Sequence, residues 1–512
     1  MVGNREKMGA PRLWLLASVV GVGGCTSVLG IEELHEGGRG GGQATSGGSA
    51  SNGGSDAGGA NGNGASGSSA AAGTSNSGGS GGSSSAAGGT AGDASGGTGG
   101  TVATSGTVHG RVVDLWGQTL PNVLIQVGDE TGTTDTKGEF TFEDVPAEYD
   151  ASLYITIPNP SSDYGWVYQG VTRRDPTFEV YDAREGRETP VSVSSVNGPY
   201  PLGATDAVAY SIALTDGVLS GTLGTMPGVE VRPEWFGPAS TIGTAHGLSW
   251  SFNVATQAPT KYSAYGSKLI ALEDDMPGDP ITFDFAPQTI TAKTIEGAIT
   301  PVGQGDRVNQ LFVRFESHGT IRLMEQDDAP NTFSYLVPAL PQASIMLAAS
   351  EGNDYDGPFA IAHADGLNGG DTDVKLTIPA PARPLKPTSS SAVVGDDQVF
   401  ELQPGTGNDG PFVVVFRRGD RANYALFVVT QETKLQMPEV AGGAFDLDKN
   451  LSADSYYTWA ITTHGDYASV DAMLGPNGFL DAFGYSSGTP VGPRQTSGSY
   501  TTSVESRFEK AP

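Results

Sequence analysis

Beyond Ser105, Pro and Gly recur too often for a long helix, and no segment sustains three turns of amphipathic periodicity. Apolar residues instead alternate with polar ones, as in Val123, Ile125 and Val127, or Phe140 and Phe142, which puts one face of a pleated strand toward a core. The chain is therefore constrained to an all-β fold. About 400 residues of this texture predict roughly three or four domains at 100 to 200 residues each, and tandem β-sandwiches after a disordered linker are the expected architecture.

That linker runs from Gly37 to Ser105 and consists almost wholly of Gly, Ser, Ala, Thr and Asn, with Val102 as its only large aliphatic side chain. Such a segment has nothing to bury against the entropy of ordering it. A coil of this composition spans about 45 Å, so it reads as a flexible tether. Gly78-Gly79-Ser80-Gly81-Gly82 fits the G-x-S-x-G nucleophile pattern, but no strand precedes it and no helix follows, so it carries no chemistry.

The amino terminus has Arg5, Lys7 and Arg12 ahead of an apolar run, Leu13 to Val22, that breaks at Gly23-Gly24 before Cys25. This run is shorter than the roughly 20 apolar residues of a spanning helix and reads as a signal peptide, residues 1–24. Cys25 is the single Cys in 512 residues. Val22-Gly23-Gly24-Cys25 resembles the lipobox of bacterial lipoproteins. The resemblance implies acylation of Cys25, a membrane anchor holding the linker 25–105, and, with Thr26 rather than Asp next, sorting to the outer membrane or cell surface. An acylated Cys25 leaves no thiol for a disulfide, a zinc site or a nucleophile, so stability must come from cores.

The next segment reads Val108-x-Gly110-x-Val112-x-Asp114, Leu120-Pro121-x-Val123-x-Ile125-x-Val127, Asp135-x-x-Gly138-x-Phe140-x-Phe142-x-x-Val145-Pro146. Asp135 with Gly138 suits a type I turn, and Pro146 ends a strand whose ladder it cannot continue. These residues resemble the carboxypeptidase regulatory-like domain, which implies a transthyretin-like β-sandwich over 106–182 without catalytic residues. Two echoes of the opening follow, Leu219-x-Gly221-x-Leu223 and Ile295-x-Gly297-x-Ile299. The third copy has a second anchor, since Phe333-Ser334-Tyr335 and Val337-Pro338 mirror Phe140-Thr141-Phe142 and Val145-Pro146. Residues 289–380 are expected to form a second regulatory-like sandwich, and 190–288, with Trp250, Phe252 and Val254 alternating, another β-sandwich.

After the Pro-rich hinge Pro379 to Pro387, the runs Phe400-x-Leu402, Tyr424 to Val429, Leu435-x-x-Pro438 and Leu451 with Tyr457-x-Trp459 resemble a fibronectin type III domain. The Leu451-to-Tyr457 spacing is similar to a tyrosine corner. The pattern departs from the family in lacking the early-strand Trp, near whose place Phe400 stands. This domain and its tail are expected over 381–512.

Chemistry is sparse on this scaffold. None of His35, His109, His246, His318, His363 and His464 has Glu three residues on, so the zinc motif of the catalytic carboxypeptidases is missing. Acidic residues cluster at Asp446-x-Asp448-x-Asn450, Asp354-x-Asp356-Gly357 and Asp371-x-Asp373. Counted from Asp446, the Gly and bidentate Glu positions of an EF-hand loop hold Leu451 and Tyr457, so no metal and no cofactor are expected. With 57 acidic against 28 basic residues the formal charge is -29, which repels nucleic acid. No catalytic residue is assigned.

The leading expectation is a noncatalytic surface lipoprotein presenting sandwiches to an extracellular protein or polysaccharide, or acting as an envelope spacer. A sugar-binding module would expose an aromatic row, for which Trp235, Phe236, Tyr262 and Tyr265 are the candidates. The alternative is a secreted hydrolase whose site is assembled spatially within 190–380.

Overall fold

The computed structural model describes residues 105–510 with interruptions, the longer ones at 181–186, 198–202, 353–357, 388–392, 445–455, 476–484 and 491–496. Cys25 and the Gly/Ser-rich linker lie outside the described residues. The regular structure of the described residues is almost all strand, with one short α-helix, Val470–Met473, and one 3-10 turn, Ala441–Gly443.

The first sandwich comprises β1 (Ser105–Asp114), β2 (Leu124–Val127), β3 (Glu130–Thr133), β4 (Glu139–Pro146), β5 (Tyr149–Pro158), β6 (Ser161–Val171) and β7 (Thr177–Val180). Sheet β4-β1-β7 faces β3-β2-β5-β6. Val108 and Val112 on β1 meet Ile125, Val127 and Leu153 in a buried core. The expected turn forms as read: Asp135 accepts from the backbone N–H groups of Lys137 (2.8 Å) and Glu139 (2.9 Å), and Gly138 takes φ +72°. Gly110 lies opposite Phe140 across the β1–β4 ladder. A Cβ there would overlap the Phe140 ring and stand 2.6 Å from the Pro176 carbonyl oxygen. The glycine therefore lets one ring fold across β1 while β7 closes in beside it.

The second sandwich contains β8 (Arg187–Glu188), β9 (Val191–Val196), β10 (Asp206–Leu214), β11 (Gly217–Val218), β12 (Ser220–Gly224), β13 (Gly228–Val231), β14 (Glu234–Trp235), β15 (Ser240–Phe252), β16 (Pro259–Glu273) and β17 (Ile281–Asp284). Sheet β13-β9-β17 faces β12-β10-β15-β16, and β11, β14 and β8 form a small ribbon. Strand β9 pairs antiparallel with β13 and parallel with β17, as β1 does with β4 and β7. The opening strand is thus β9, and the echo at Leu219-x-Gly221-x-Leu223 is corrected: it falls on and beside β12, in the facing sheet. Val193 of β9 stands opposite Val229 and Ile281. With no aromatic ring to fold across, that strand needs no glycine.

The third sandwich reproduces the first closely. It has β18 (Ala292–Thr300), β19 (Arg307–Phe315), β20 (Thr320–Asp327), β21 (Thr332–Pro338), β22 (Ala343–Gly352), β23 (Phe359–Leu367) and β24 (Val374–Thr377). β18 pairs antiparallel with β21 and parallel with β24. Gly297 faces Phe333 and Ile295 faces Tyr335, the register of Gly110 with Phe140 and Val108 with Phe142. A Cβ at Gly297 would overlap the Val374 carbonyl oxygen and lie 2.6 Å from the Phe333 ring. We expect Gly297→Ala to destabilise the fold by about 2–3 kcal/mol through this overpacking. Gly106→Ala, where nothing lies within 4 Å, should stay within about 0.5 kcal/mol of wild type. Urea midpoints at constant m-value measure both.

The fourth sandwich is built from β25 (Arg383–Lys386), β26 (Val393–Val394), β27 (Phe400–Gln403), β28 (Phe412–Arg418), β29 (Arg421–Thr430), β30 (Lys434–Leu435), β31 (Tyr457–His464), β32 (Tyr485–Ser486), β33 (Thr489–Pro490), β34 (Gly498–Thr502) and β35 (Ser506–Lys510). Sheet β25-β27-β30 covers one face of β28, β29 and β31. Phe400 is buried edge-on against Phe416, Trp459 and Phe508. Trp459 donates its indole N–H to the Pro387 carbonyl at 3.1 Å. A Trp from a late strand thus fills the centre that lacks an early one. Tyr457 stacks on Phe508, whereas Leu451 lies outside the described residues.

These sandwiches are not separate beads. One sheet of 14 strands runs β20-β19-β22-β23-β34-β31-β28-β29-β6-β5-β2-β3 with β26 and β35 at its side. β29 pairs in parallel with β6, from Tyr424 opposite Asp163 to Val429 opposite Tyr168. β34 bridges β31 to β23. Trp166 and Phe427 stack across the β6–β29 seam at 4.2 Å. Val413, Val415, Phe427 and Val429 of the fourth sandwich belong to the first sandwich's core. The short helix adds Val470, Met473 and Leu474 to the same core, each worth roughly 1.5–3 kcal/mol on full burial. Asp471 then locks it: its carboxylate accepts the N–H groups of Thr172 (2.9 Å) and Arg173 (3.0 Å) and the Thr172 hydroxyl.

The second sandwich joins the third differently. Val208, Tyr210 and Ile212 of β10 face its own core, while Ala207 and Ala209, with Leu248, Trp250 and Tyr262, pack into the core of the third. Sheet β12-β10-β15-β16 is therefore apolar on both faces over much of its area.

Candidate functional site

The aromatic candidates for sugar stacking are interior residues. Trp235 is fully buried and donates its indole N–H to the Pro238 carbonyl at 2.9 Å. Tyr262 is buried, and its hydroxyl donates to the Leu336 carbonyl of the third sandwich at 2.8 Å. Tyr265 is half-buried beside Phe315 and His246. Phe236 lies outside the described residues.

The histidines are dispersed. His109 is exposed and shares a 2.8 Å hydrogen bond with Thr141. His246 is buried at the junction of the second and third sandwiches, its ring stacked on Phe315 at 3.8 Å and 3.2 Å from the Tyr265 hydroxyl. Burial pushes its imidazole down to about 4. His464 is buried against Tyr500, and desolvation pushes it down to about 3. His363 is buried on β23. His35 and His318 lie outside the described residues. An imidazole held neutral in an interior is a packing element rather than a proton shuttle.

Polar groups within 190–380 act in the same structural manner. Arg314 and Asp365 form a buried ion pair between β19 and β23. Burial raises the Asp365 carboxyl and the Arg314 charge partly counters it. Asn309 donates to the Tyr335 hydroxyl at 3.0 Å, and Tyr335 donates to Gln326 at 3.1 Å. Glu351 accepts the backbone N–H groups of Val302 (3.2 Å) and Gly303 (2.7 Å). Each ties a strand to another strand or, for Glu351, to the turn that follows β18.

For the acidic loops, Asp371 accepts the Asn368 N–H at 2.8 Å and Asp373 takes φ +61°, so this pair shapes a turn. The loops at Asp354 and Asp446 lie outside the described residues. Among the described residues no three His, Cys, Asp or Glu side chains converge on a position where a metal ion could sit, and no helix is long and apolar enough to cross a membrane.

What sequence reasoning missed is an edge. β16 is the outermost strand of its sheet, and Leu269 on it is 82% exposed with Ile242 of β15 at 64%. The run Leu269-Ile270-Ala271-Leu272, apolar at both parities, was the available signal.

No protein-family model matches the sequence, and no curated protein matches it. Among solved structures, the chain is similar to the Bacillus anthracis TIE protein at 10% identity, over 54% of this chain and 50% of that one, with a TM-score of 0.14. It thus spans half the length of that protein. A double variant of the shaft pilin SpaA from Lactobacillus rhamnosus GG matches at 11% identity over 37% of this chain and 100% of the pilin, TM-score 0.13. A candidate adhesin from Bacteroides ovatus matches at 10% identity over 38% of this chain and 93% of that one, TM-score 0.15. Likenesses this slight decide nothing about this chain.

Proposed function

We propose that this is a noncatalytic, surface-anchored lipoprotein that presents a rigid β-sandwich body to an extracellular protein or polysaccharide, or spaces other components of the envelope. The domains are a signal peptide at 1–24, an anchored linker at 25–105, regulatory-like sandwiches at 106–182 and 289–380, a further β-sandwich at 190–288, and a fibronectin type III-like sandwich with its tail at 381–512. The repeated antiparallel-then-parallel pairing of β1 and β18, with Gly110 and Gly297 under their Phe rings, supports the two regulatory-like assignments. The strand orders β25-β27-β30 and β34-β31-β28-β29 support the type III-like one.

The observation that carries the reading is the 14-stranded sheet. Sandwiches that move independently suit an enzyme's closing domains, whereas a sheet shared across three of them fixes their faces relative to one another. Placed after an anchor at Cys25 and a long Gly/Ser tether, such a body has freedom as a whole and rigidity within. Edges and end loops are what it offers a partner.

Cys25→Ala removes the acylation site and leaves the secretion signal. The expected result is transfer of the protein from the membrane pellet to the soluble fraction, with metabolic palmitate label lost. A variant that stays in the pellet and still takes up palmitate would end the anchored reading.

A further inference from the structure

Strand β16 is 15 residues long and forms the edge of sheet β12-β10-β15-β16. At its start the edge is covered, since Gln288 donates from its backbone N–H to the Ser263 carbonyl (3.3 Å) and from its side chain to the Tyr265 carbonyl (3.1 Å). These two bonds identify the parity that faces outward: Ser263, Tyr265, and by alternation Ser267, Leu269 and Ala271. For these last three, no backbone partner stands on the outer side among the described residues. Ser267, Lys268, Leu269 and Ala271 are all exposed. Edges are protected by Pro, a bulge or charged side chains, Lys above all. Gly266 to Glu273 has no Pro and pairs with β15 without a bulge, and its charges, Lys268 and Glu273, leave Leu269 to Leu272 between them uncharged.

We infer that this edge is a homodimerisation site, in which two copies of the chain pair their β16 strands antiparallel about a two-fold axis at Ala271. Charge selects both the partner and the register. Lys268 lies toward one end of the open segment and Glu273 and Asp274 at the other, so a second copy running antiparallel brings opposite charges together, while a parallel neighbour stacks like on like. With Ala271 on the axis, Lys268 of each copy stands opposite Asp274 of the other, which also holds Arg187 of its own chain. Ile270 then lies opposite Leu272. Ile270 is half-buried against the second sandwich's core and Leu272 is part of it, so the two cores become continuous across the seam. On the outer face Leu269 sits diagonal to the second copy's Ala271, covering a side chain otherwise 82% exposed. Residues opposite one another share a face in this register, and the outward backbone groups of Leu269 and Ala271 meet outward groups of the second copy. The interface is isologous and closes at two chains.

Sedimentation velocity on the full chain carrying Cys25→Ala, at about 0.15 M salt where the Debye length of about 8 Å screens the acidic surface, reads the result. A concentration-dependent dimer is expected. Leu269→Pro removes an outward N–H without touching the ladder to β15 and should weaken association at least tenfold, with an unchanged urea midpoint showing that the fold persists. Ala271→Cys should form a disulfide-linked dimer under mild oxidation, because facing residues of a hydrogen-bonded pair stand about 5.5 Å apart, within disulfide reach. Thr282→Cys, exposed on β17, should not. A chain monomeric at the highest soluble concentration, or a dimer that survives Leu269→Pro and fails to cross-link through position 271, would overturn the assignment.

Discussion

Residues 105–182 expressed alone should fail to fold, although they contain every strand of the first sandwich. Removing the rest of the chain strips β6 of its parallel partner β29 and the core of Val413, Val415, Phe427, Val429, Val470, Met473 and Leu474. Losing even one such aromatic is expensive: Phe427→Ala should cost about 3–5 kcal/mol, a large share of the 5–15 kcal/mol that holds a domain together. Asp471→Ala should add a smaller loss, since it orphans the Thr172 and Arg173 N–H groups at the clamp. Circular dichroism and near-ultraviolet fluorescence of the fragment measure the first effect. A cooperative unfolding transition in the fragment would contradict it.

Acid should weaken the fold well before its carboxylates titrate. His246 and His464 have folded-state values near 4 and 3 against an ordinary 6.5, both lowered by desolvation. A histidine whose folded value is depressed binds its proton more readily when unfolded, so the stability it contributes is complete above about pH 6.5 and is lost as pH falls below it. Each buried ring then costs about 1.4 kcal/mol per pH unit. Between pH 7 and pH 5 the two together should remove about 4 kcal/mol. The Asp365 carboxyl, raised by burial, works the other way toward the acid end. Urea titrations at pH 7, 6 and 5 read the slope, and His246→Phe should roughly halve it. A midpoint flat from pH 7 to pH 5 would show that these rings are open to water.

Much of the fold was legible because its signals are local. The Val108-x-Gly110-x-Val112 opening, the Asp135–Gly138 turn and the Phe333-Ser334-Tyr335 anchor each depend on neighbours within one sandwich, and the structure gives each the contacts that such residues need. The misplaced echo at Leu219 shows the limit of pattern without partners. What makes Gly110 necessary is a Phe ring some 30 residues away, and Leu219-x-Gly221-x-Leu223 has no matching Phe.

The fusion of sandwiches was not legible for a different reason. Asp163 meets Tyr424, and Thr172 meets Asp471 299 residues on, and no composition or period links segments so far apart. Yet traces existed. Asp206 to Leu214 is apolar at almost every position, as expected of a strand buried on both faces, and it lies in the sheet that joins the second sandwich to the third. Tyr164, Trp166 and Tyr168 likewise place three large rings on one face of β6, more than a small sandwich holds unaided. The binding candidates are interior residues, Trp235 in the core of its own sandwich and Tyr262 in that of the third, across a sheet covered on both faces.

The shared sheet and core make the first and fourth sandwiches one mechanical and thermodynamic body. Native-state hydrogen exchange across low urea concentrations tests it directly, by comparing amides of β6 from Asp163 to Tyr168 with those of β29 from Tyr424 to Val429. Shared opening predicts one common exchange free energy and one common urea dependence for both strands, equal to those of the Val108 to Val112 core of β1. Exchange of the β29 amides through a lower-energy opening while β6 and β1 stay protected would contradict it, and would return the molecule to a string of independent domains.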